Sequence, residues 1–164
     1  MRLAALHELP WNMAEPAKEN SVEQLTLESR IAELAKVSNW TQSLASRHAI
    51  PENVHFGIDL CLEEVIANVI SHGYGGSGDH TLAIMFERPM DGRFVFVVED
   101  NAPPFNPLEA PELPPLDPDG EIRVGGQGIR LLRRFADTLD YEACQHGNRL
   151  RIGFFSSGAK QLSK

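Results

Sequence analysis

The chain has 164 residues, 42% of them hydrophobic, and its 15 Lys and Arg against 23 Asp and Glu give a net charge of −8. This length fits one domain, and the acidic balance argues against direct nucleic-acid binding, which needs clustered basic side chains. No apolar run approaches the ~20 residues of a membrane span, so we expect a soluble, cytoplasmic protein without a membrane partner. Cys61 and Cys144 show no metal-ligand spacing and are expected to be buried thiols.

The first half of the sequence predicts an extension, a strand and two helices. Residues 1–20 have no stable period and are expected to form an N-terminal extension, followed by a β-compatible stretch at residues 22–28. Apolar residues recur at helical spacing over residues 31–48. A stronger helix is predicted over residues 51–72, ending at Gly73.

The second half predicts two hairpins around a short helix. The predicted elements are strands at residues 81–87 and 93–99, a helix at residues 129–135, and strands at residues 138–143 and 149–155. Asp91 and Gly92 mark the first hairpin turn, and His146-Gly147-Asn148 mark the second. This order of helices and adjacent antiparallel pairs predicts a two-layer α/β sandwich with a mixed, mostly antiparallel sheet.

A proline-rich segment separates the two hairpins. Seven of the 11 prolines fall between residues 103 and 118, so this stretch is expected to form neither a helix nor a central strand. A connection of about twenty residues without regular structure is uncommon inside a domain. The segment is therefore interpreted as a lid or a binding loop.

The second predicted helix carries a pair of polar side chains on one stripe. Glu64 and Asn68 are four residues apart, and Ser71 and His72 continue on the same side. A carboxylate and a carboxamide with this spacing could act as a general base and a ligand of Mg²⁺. A solvated helix face with exposed Glu63 and Glu64 is the alternative, and spacing alone leaves both open.

Two further features lie where predicted elements begin or end. Asp100 follows an apolar strand, where its carboxylate could accept from an exocyclic amine such as that of adenine, or could simply form a turn. The glycine run at residues 125–128 precedes a helix, where backbone N–H groups could meet phosphates or serve as a hinge. The arginines near this run, which could balance phosphate charge or lie on the helix surface, are Arg123, Arg130, Arg133 and Arg134.

Taken in order, these segments resemble the nucleotide-binding signature of the GHKL superfamily, the Bergerat-fold ATPases. Residues 64–68 with residues 71–74 are similar to the N-box, residues 100–107 to the first glycine box, and residues 126–131 to the second. The nearest resemblance is to the anti-sigma-factor serine/threonine kinases, and it covers roughly residues 22–155. The ordered combination is far more specific than any one box.

The resemblance implies a fold, two cofactors and a set of site residues. The fold is an antiparallel sheet covered by helices on one face, and the cofactors are ATP and Mg²⁺. Glu64 would activate a substrate hydroxyl, Asn68 would bind Mg²⁺ and Asp100 would recognise adenine. Gly126 and Gly128 would flank a lid at residues 103–124 and meet the phosphates. The other implied nucleotide contacts are His72, Ala102, Phe105, Ile129 and Asn148.

Two positions depart from the superfamily pattern. Ala102 stands where a glycine is usual in the first box, and its methyl group would narrow the adenine approach unless the backbone avoids positive φ. Asn148 stands in the final turn where many relatives carry Gly-Thr, and its side chain can still donate and accept hydrogen bonds.

The implied activity is that of an ATP-dependent serine/threonine protein kinase built from one domain, residues 21–157, with a tail at residues 158–164. Its implied partners are a STAS-type anti-sigma-factor antagonist, which it would phosphorylate, a sigma factor, which it would sequester, and a second copy of the chain. The alternative is a non-catalytic, nucleotide-responsive binding module that presents residues 31–48, with Trp40 as an anchor or as a core residue.

Overall fold

A computed structural model describes residues 22–89, 91–109 and 127–156, which form one sheet and three helices. The regular elements are β1 (Glu23–Glu28), α1 (Leu34–His48), α2 (Glu52–Asn68), β2 (Thr81–Glu87), β3 (Arg93–Asp100), α3 (Gln127–Phe135), β4 (Thr138–Cys144) and β5 (Gly147–Phe155). The predicted extension, the tail and most of the predicted lid lie outside the described residues. No helix within these ranges is both long and apolar enough to cross a membrane.

The sheet has the strand order β1-β2-β3-β5-β4, and each neighbouring pair is antiparallel. The β4–β5 hairpin therefore inserts β5 beside β3 and leaves β4 at the edge. Asp100 at the end of β3 lies opposite Asn148 at the start of β5. The predicted α/β sandwich is confirmed, and the strand pairs formed by the described residues are all antiparallel rather than mixed.

The helices cover the face of the sheet to which β2 contributes its alternate buried residues, whereas the central strand β3 is buried on both faces over residues 94–98. Cross-strand pairs on the covered face include Phe86 with Phe96 and Val98 with Leu150, and all four side chains belong to the buried core. On the other face, Arg149 lies 2.6 Å from Glu99 and Arg151 lies 2.6 Å from Glu87. These half-buried ion pairs contribute little stability, and they lie on the same face as the buried Val95 and Val97.

Helix α3 runs antiparallel to α2, and the contacts between them recur about one turn apart. The Cys61 Sγ atom lies 3.9 Å from the Leu131 carbonyl oxygen. A Cβ atom added to Gly57 would lie 3.3 Å from Phe135, which explains why the helices approach closely at the C-terminal end of α3. This register brings Gly128 at the other end of α3 to the C-terminal half of α2, near Glu64.

Several predicted element ends differ from the structure. A 3₁₀ turn at Ile31–Glu33 precedes α1, and the α-helical part of the second helix stops at Asn68. A π-helical turn, Val69–Gly73, follows, because the Tyr74 N–H donates to the Val69 carbonyl at 2.9 Å. Gly147 and Asn148 already belong to β5, so the second hairpin turns one residue earlier than predicted, at residues 145–146.

The two cysteines differ in burial, and the prediction for one of them is wrong. Cys61 is fully buried between α2 and α3, and burial raises the pKa of its thiol to about 12. Cys144 is only half-buried. It ends β4 opposite Gly147, which has no side chain to cover it.

Gly147 is the glycine whose position the fold constrains most tightly in the described ranges. Its φ is 141°, and a Cβ atom there would overlap the Asp100 carbonyl oxygen. We expect Gly147→Ala to lower the free energy of unfolding by roughly 3 kcal/mol, since backbone strain and overpacking add. Chemical denaturation of the purified variant measures this loss.

Gly92→Ala provides the matched control. Gly92 also has a positive φ, 81°, but a Cβ atom there would meet nothing within 4 Å. This variant should lose only about 1 kcal/mol of unfolding free energy, the cost of the backbone conformation alone. Equal losses in both variants would contradict the close approach at Asp100.

Candidate functional site

A cavity of about 470 Å³ lies at one end of the helix-covered face of the sheet. Four predicted polar site residues line it: Asn68, His72, Asp100 and Asn148. The predicted apolar contacts Ala102, Phe105 and Ile129 line it as well. Most of the remaining wall is aliphatic, so the space is suited to a flat, largely apolar ligand with a few polar edges.

Asp100 is the carboxylate on the floor of this cavity. Its Oδ1 atom accepts from the Ala102 N–H at 2.9 Å and from Asn148 Nδ2 at 2.8 Å. Burial raises the pKa of Asp100, while these two hydrogen bonds act in the opposite direction. Its Oδ2 atom has no hydrogen-bond partner within the described ranges.

Asn148 is buried beside Asp100 and makes contacts with both of its polar atoms. Its Oδ1 accepts from the Phe105 N–H at 3.0 Å and from the Tyr141 hydroxyl at 2.6 Å. Its Nδ2 also lies 3.3 Å from the carbonyl oxygens of Ala102 and Pro103. Both polar atoms of the Asn148 side chain are therefore hydrogen-bonded within the protein, and the side chain can influence a ligand through Asp100.

Tyr74 fixes the chain just after Asp100. Its hydroxyl lies 2.6 Å from Asn101 Oδ1 and accepts from the Asn101 N–H at 3.0 Å. Its ring stacks on His80, with centroids 4.4 Å apart. The π-helical turn thus places the Tyr74 hydroxyl within hydrogen-bond distance of Asn101, the first residue after β3.

The Ala102 methyl group is accommodated by a glycine on the facing turn. Ala102 does not have a positive φ, so an alanine at this position, where the superfamily usually has glycine, causes no backbone strain. A Cβ atom on Gly73 would lie 2.8 Å from the Ala102 Cβ atom. Gly73 therefore supplies the space that a glycine at position 102 would otherwise provide.

Glu64, Asn68 and Gly128 meet where the end of α2 faces the start of α3. A Cβ atom on Gly128 would lie 2.8 Å from Glu64 Oε2 and 3.0 Å from Asn68 Nδ2. Glu63 is exposed, whereas Glu64 is half-buried, and the described residues provide neither Glu64 nor Asn68 with an ion pair or hydrogen bond. The two side chains thus lie beside the first turn of α3, whose N–H groups favour anions.

Three of the four predicted arginines, Arg130, Arg133 and Arg134, belong to the described residues, and none of the three lines the cavity. Arg133 Nη2 donates to the Leu108 carbonyl at 3.2 Å, which links α3 to the start of the proline-rich segment. The Arg134 guanidinium lies over the Phe135 ring, 5.6 Å from its centroid. Arg123 and Gly126 lie outside the described residues.

Sequence reasoning missed several wall residues, and Tyr141 matters most among them. Tyr141 lines the cavity and donates to Asn148. Its position follows from the pairing of β4 with β5, which sets Tyr141 opposite Leu150. The sequence of β4 shows the alternating pattern of a strand, but it does not show which residue of β5 lies opposite Tyr141.

The donor chemistry near Asn68 limits which metal the site could hold. No group of three or more His, Cys, Asp or Glu side chains in the described part of the chain could hold a metal ion alone. Mg²⁺ binds through one or two protein oxygens, waters and ligand phosphates. Asn68 lies at the cavity edge with Glu64 beside it, which fits a Mg²⁺ ion held partly by ligand phosphates and water. The two side chains do not form a metal site made of protein ligands alone.

An antiparallel sheet covered on one face by helices, with a cavity between its end and two of them, defines a two-layer α/β sandwich with a ligand-sized cavity. Residues 27–154 match the family described as the histidine kinase-like ATPase domain. The chain belongs to this family. The resemblance to the GHKL superfamily stated from the sequence is thereby confirmed.

Three individual proteins show how this chain relates to others. It is 27% identical over 114 residues to a protein of Bordetella bronchiseptica named serine/threonine-protein kinase BtrW, covering 69% of this chain and 79% of BtrW. It resembles the crystal structure of the RsbU and RsbW domains of Rv1364c from Mycobacterium tuberculosis, with a TM-score of 0.55 and 14% identity over 82% of this chain. It also resembles the histidine kinase domain of a blue-light activated histidine kinase from Erythrobacter litoralis, with a TM-score of 0.51 and 16% identity over 80% of this chain. The chain spans 32% and 62% of these two structures, and the likeness shows a shared fold.

The contact between Gly73 and Ala102 generates a prediction about stability. Gly73→Ala should lower the free energy of unfolding by about 1–3 kcal/mol, because two methyl groups would then compete for one space. Combined with Ala102→Gly, the same substitution should cost much less, and denaturation of the four proteins in this cycle measures the coupling. Additive losses would show that the two sites are independent.

Proposed function

We propose that the protein is an ATP-dependent serine/threonine kinase that acts as an anti-sigma regulatory factor. It would phosphorylate a STAS-type antagonist and sequester a sigma factor. The observation that carries the proposal is the meeting of Glu64, Asn68 and Gly128 at the edge of the cavity that contains Asp100. The name of BtrW supports the kinase activity, and the RsbW domain in the Rv1364c structure is consistent with it.

Adenine would occupy the apolar part of the cavity. Asp100 Oδ2, which has no hydrogen-bond partner among the described residues, would accept from the exocyclic amino group. Aliphatic side chains such as Val69, Val98 and Leu150 would provide surfaces for the ring faces. The ribose and phosphates would then extend toward Asn68 and the first turn of α3. The N–H groups of that turn favour phosphate oxygens.

Asn68 would bind Mg²⁺ through its side-chain oxygen. Nδ2 is the Asn68 atom that lies nearest a Cβ placed on Gly128, at 3.0 Å, and Oδ1 is the atom of the carboxamide that can bind a cation. The ion, when bound, would neutralise phosphate charge. Phosphoryl transfer places few covalent demands on a protein, and catalysis comes mainly from alignment and charge neutralisation.

Glu64 would align the substrate hydroxyl and accept its proton. The serine oxygen forms a bond to the γ-phosphorus, the bond from that phosphorus to the β-γ bridging oxygen breaks, and ADP leaves. The half-buried position of Glu64 beside Gly128 is consistent with this role, since a fully solvated carboxylate would be less well positioned.

The non-catalytic binding module is less well supported. Trp40, its proposed anchor, is half-buried, and its ring packs edge-on against Phe96 of the core, with centroids 6.1 Å apart. An anchor must be free to enter a partner's pocket. Nucleotide binding without phosphoryl transfer to any cognate partner would favour this alternative.

Glu64→Gln tests the catalytic role. The variant should lose at least about a hundredfold in phosphoryl transfer, because the amide cannot accept the proton, while ATP affinity changes little. Incubation with labelled ATP and candidate STAS partners, followed by mass spectrometry for phosphoserine, measures the transfer. Glu63→Gln, one residue away and exposed, should behave like the unmodified protein. Undiminished turnover by Glu64→Gln would refute the role of Glu64.

Removal of Mg²⁺ tests the role of Asn68. We expect a chelator to weaken ATP binding by the unmodified protein roughly tenfold or more, since the phosphate charge is no longer neutralised near the protein. Asn68→Ala should bind ATP weakly both with and without Mg²⁺, as measured by calorimetric titration. A full Mg²⁺ effect in Asn68→Ala would exclude Asn68 as the ligand.

A further inference from the structure

A stripe of side chains on α2 connects an exposed aromatic ring to Glu64. Phe56, Leu60 and Glu64 are spaced four residues apart, so they lie on one side of the helix over about 12 Å. Phe56 is 58% exposed, whereas Leu60 and Glu64 are half-buried. An exposed phenylalanine that continues into a partly buried apolar stripe is typical of a surface that contacts another molecule.

Helix α3 supplies the facing side of a groove. Leu131 and Phe135 are also four residues apart, and both are half-buried. The Phe56 and Phe135 rings meet edge to face with their centroids 6.0 Å apart, and the antiparallel register sets Leu131 at the level of Leu60. The surface formed by Phe56, Leu60, Leu131 and Phe135 is the α2–α3 groove, and Glu64 lies at one end of it.

The other end of the groove adjoins a second, smaller cavity. This cavity has a volume of about 40 Å³, and Gly57, Arg134 and Phe135 are among the residues that line it. The volume exceeds what one water molecule needs, so the cavity has room for the tip of an apolar side chain. Side chains that fill such pockets contribute most of the binding energy of an interface.

The rim of the groove is basic. Arg130 and Arg134 are exposed on the outer side of α3, one turn apart. Arg134 lies over the Phe135 ring, and neither arginine forms an ion pair with a described residue. The exposed carboxylates of α2, Glu52 and Glu63, lie on the side of that helix turned away from α3. A basic rim on a chain with a net charge of −8 is complementary to an acidic partner.

The C-terminal residues of the chain do not match this rim. The described residues end at Ser156, directly after Phe155, which lines the smaller cavity. Residues 157–164 contain two lysines and no carboxylate side chain. The charge of the rim therefore favours an acidic segment of another protein.

We propose that the α2–α3 groove docks the protein substrate through an acidic segment that carries an apolar side chain. The apolar side chain packs against Phe56 and Phe135, and the carboxylates pair with Arg130 and Arg134. One partner's share of a typical interface, about 800 Å², is wide enough to cover the groove and Glu64 together. The inference rests on the proposed kinase activity, because the docked protein is the one whose hydroxyl reaches Glu64.

Phe56→Ala tests the apolar contact. The variant should raise the KM for a STAS-type antagonist that the unmodified protein phosphorylates about tenfold, because it removes the exposed ring. The kcat and the ATP affinity should stay within about twofold, since the ring touches neither the nucleotide cavity nor Glu64. Val22→Ala shortens a side chain that is 54% exposed beside β1, outside the groove, and should leave the KM unchanged. An unchanged KM in Phe56→Ala would overturn the proposal.

Arg130→Glu and Arg134→Glu test the charge complementarity. Each variant should raise the same KM at least about tenfold at low salt, and the difference should shrink at high salt, where screening weakens the attraction. Lys36→Glu reverses an exposed charge on α1 and should leave the KM unchanged. An equal rise in Lys36→Glu would reflect net charge alone and would overturn the proposal. A changed ATP affinity with an unchanged KM would overturn it too, since the arginines would then pair with the chain's own acidic residues in the range 109–121.

Calorimetric titration of purified candidate STAS-domain proteins into Glu64→Gln loaded with Mg·ATP separates docking from phosphoryl transfer. Thermal melts establish that each variant is folded. Binding that weakens when Phe56→Ala is added, without phosphorylation of any candidate by the unmodified protein, would support the docking groove and refute only the kinase activity. Phosphorylation combined with an affinity that Phe56→Ala does not change would refute only the docking. Neither binding nor phosphorylation of any candidate would overturn both.

Discussion

The hydrogen bond between Asp100 and Asn148 is the interaction on which the site depends most. It joins the end of β3 to the start of β5, so it exists only because β5 is inserted between β3 and β4. Through Asn148 it also holds the chain at Phe105. One buried carboxamide thus links the sheet, the cavity floor and the first residues of the proline-rich segment. Loss of a partner in such a network leaves several polar groups unsatisfied at once.

The second constraint is the close packing of α2 and α3. The antiparallel register brings the glycine at one end of α3 to Glu64 and the larger Phe135 at the other end to Gly57. Small residues at the two ends let the helices approach, and the carboxylate and carboxamide of α2 then lie beside the first turn of α3. Local helix propensity alone would not favour glycine at position 128, so its presence reflects this tertiary contact.

The sequence predicted the strands and most of the polar residues that line the cavity or lie at its edge, because their signals are local. Asp100 ends an apolar strand, and Glu64 and Asn68 share a helical stripe, so each could be recognised without knowledge of pairing. Tyr141 and the complementarity of Gly73 with Ala102 depend on contacts between distant segments, which periodicity does not encode. The π-helical turn was also missed, because Val69 and Ile70 continue the apolar pattern of an α-helix.

The unequal environments of the two thiols make the protein a natural candidate for single-site labelling. Cys61 is sealed between two helices with a pKa of about 12, so it carries almost no reactive thiolate at neutral pH. Cys144, at the tip of the β4–β5 hairpin, is accessible to solvent. A maleimide dye would therefore attach at Cys144, four residues before Asn148. Fluorescence from that position would report changes at the base of the cavity without any engineered residue.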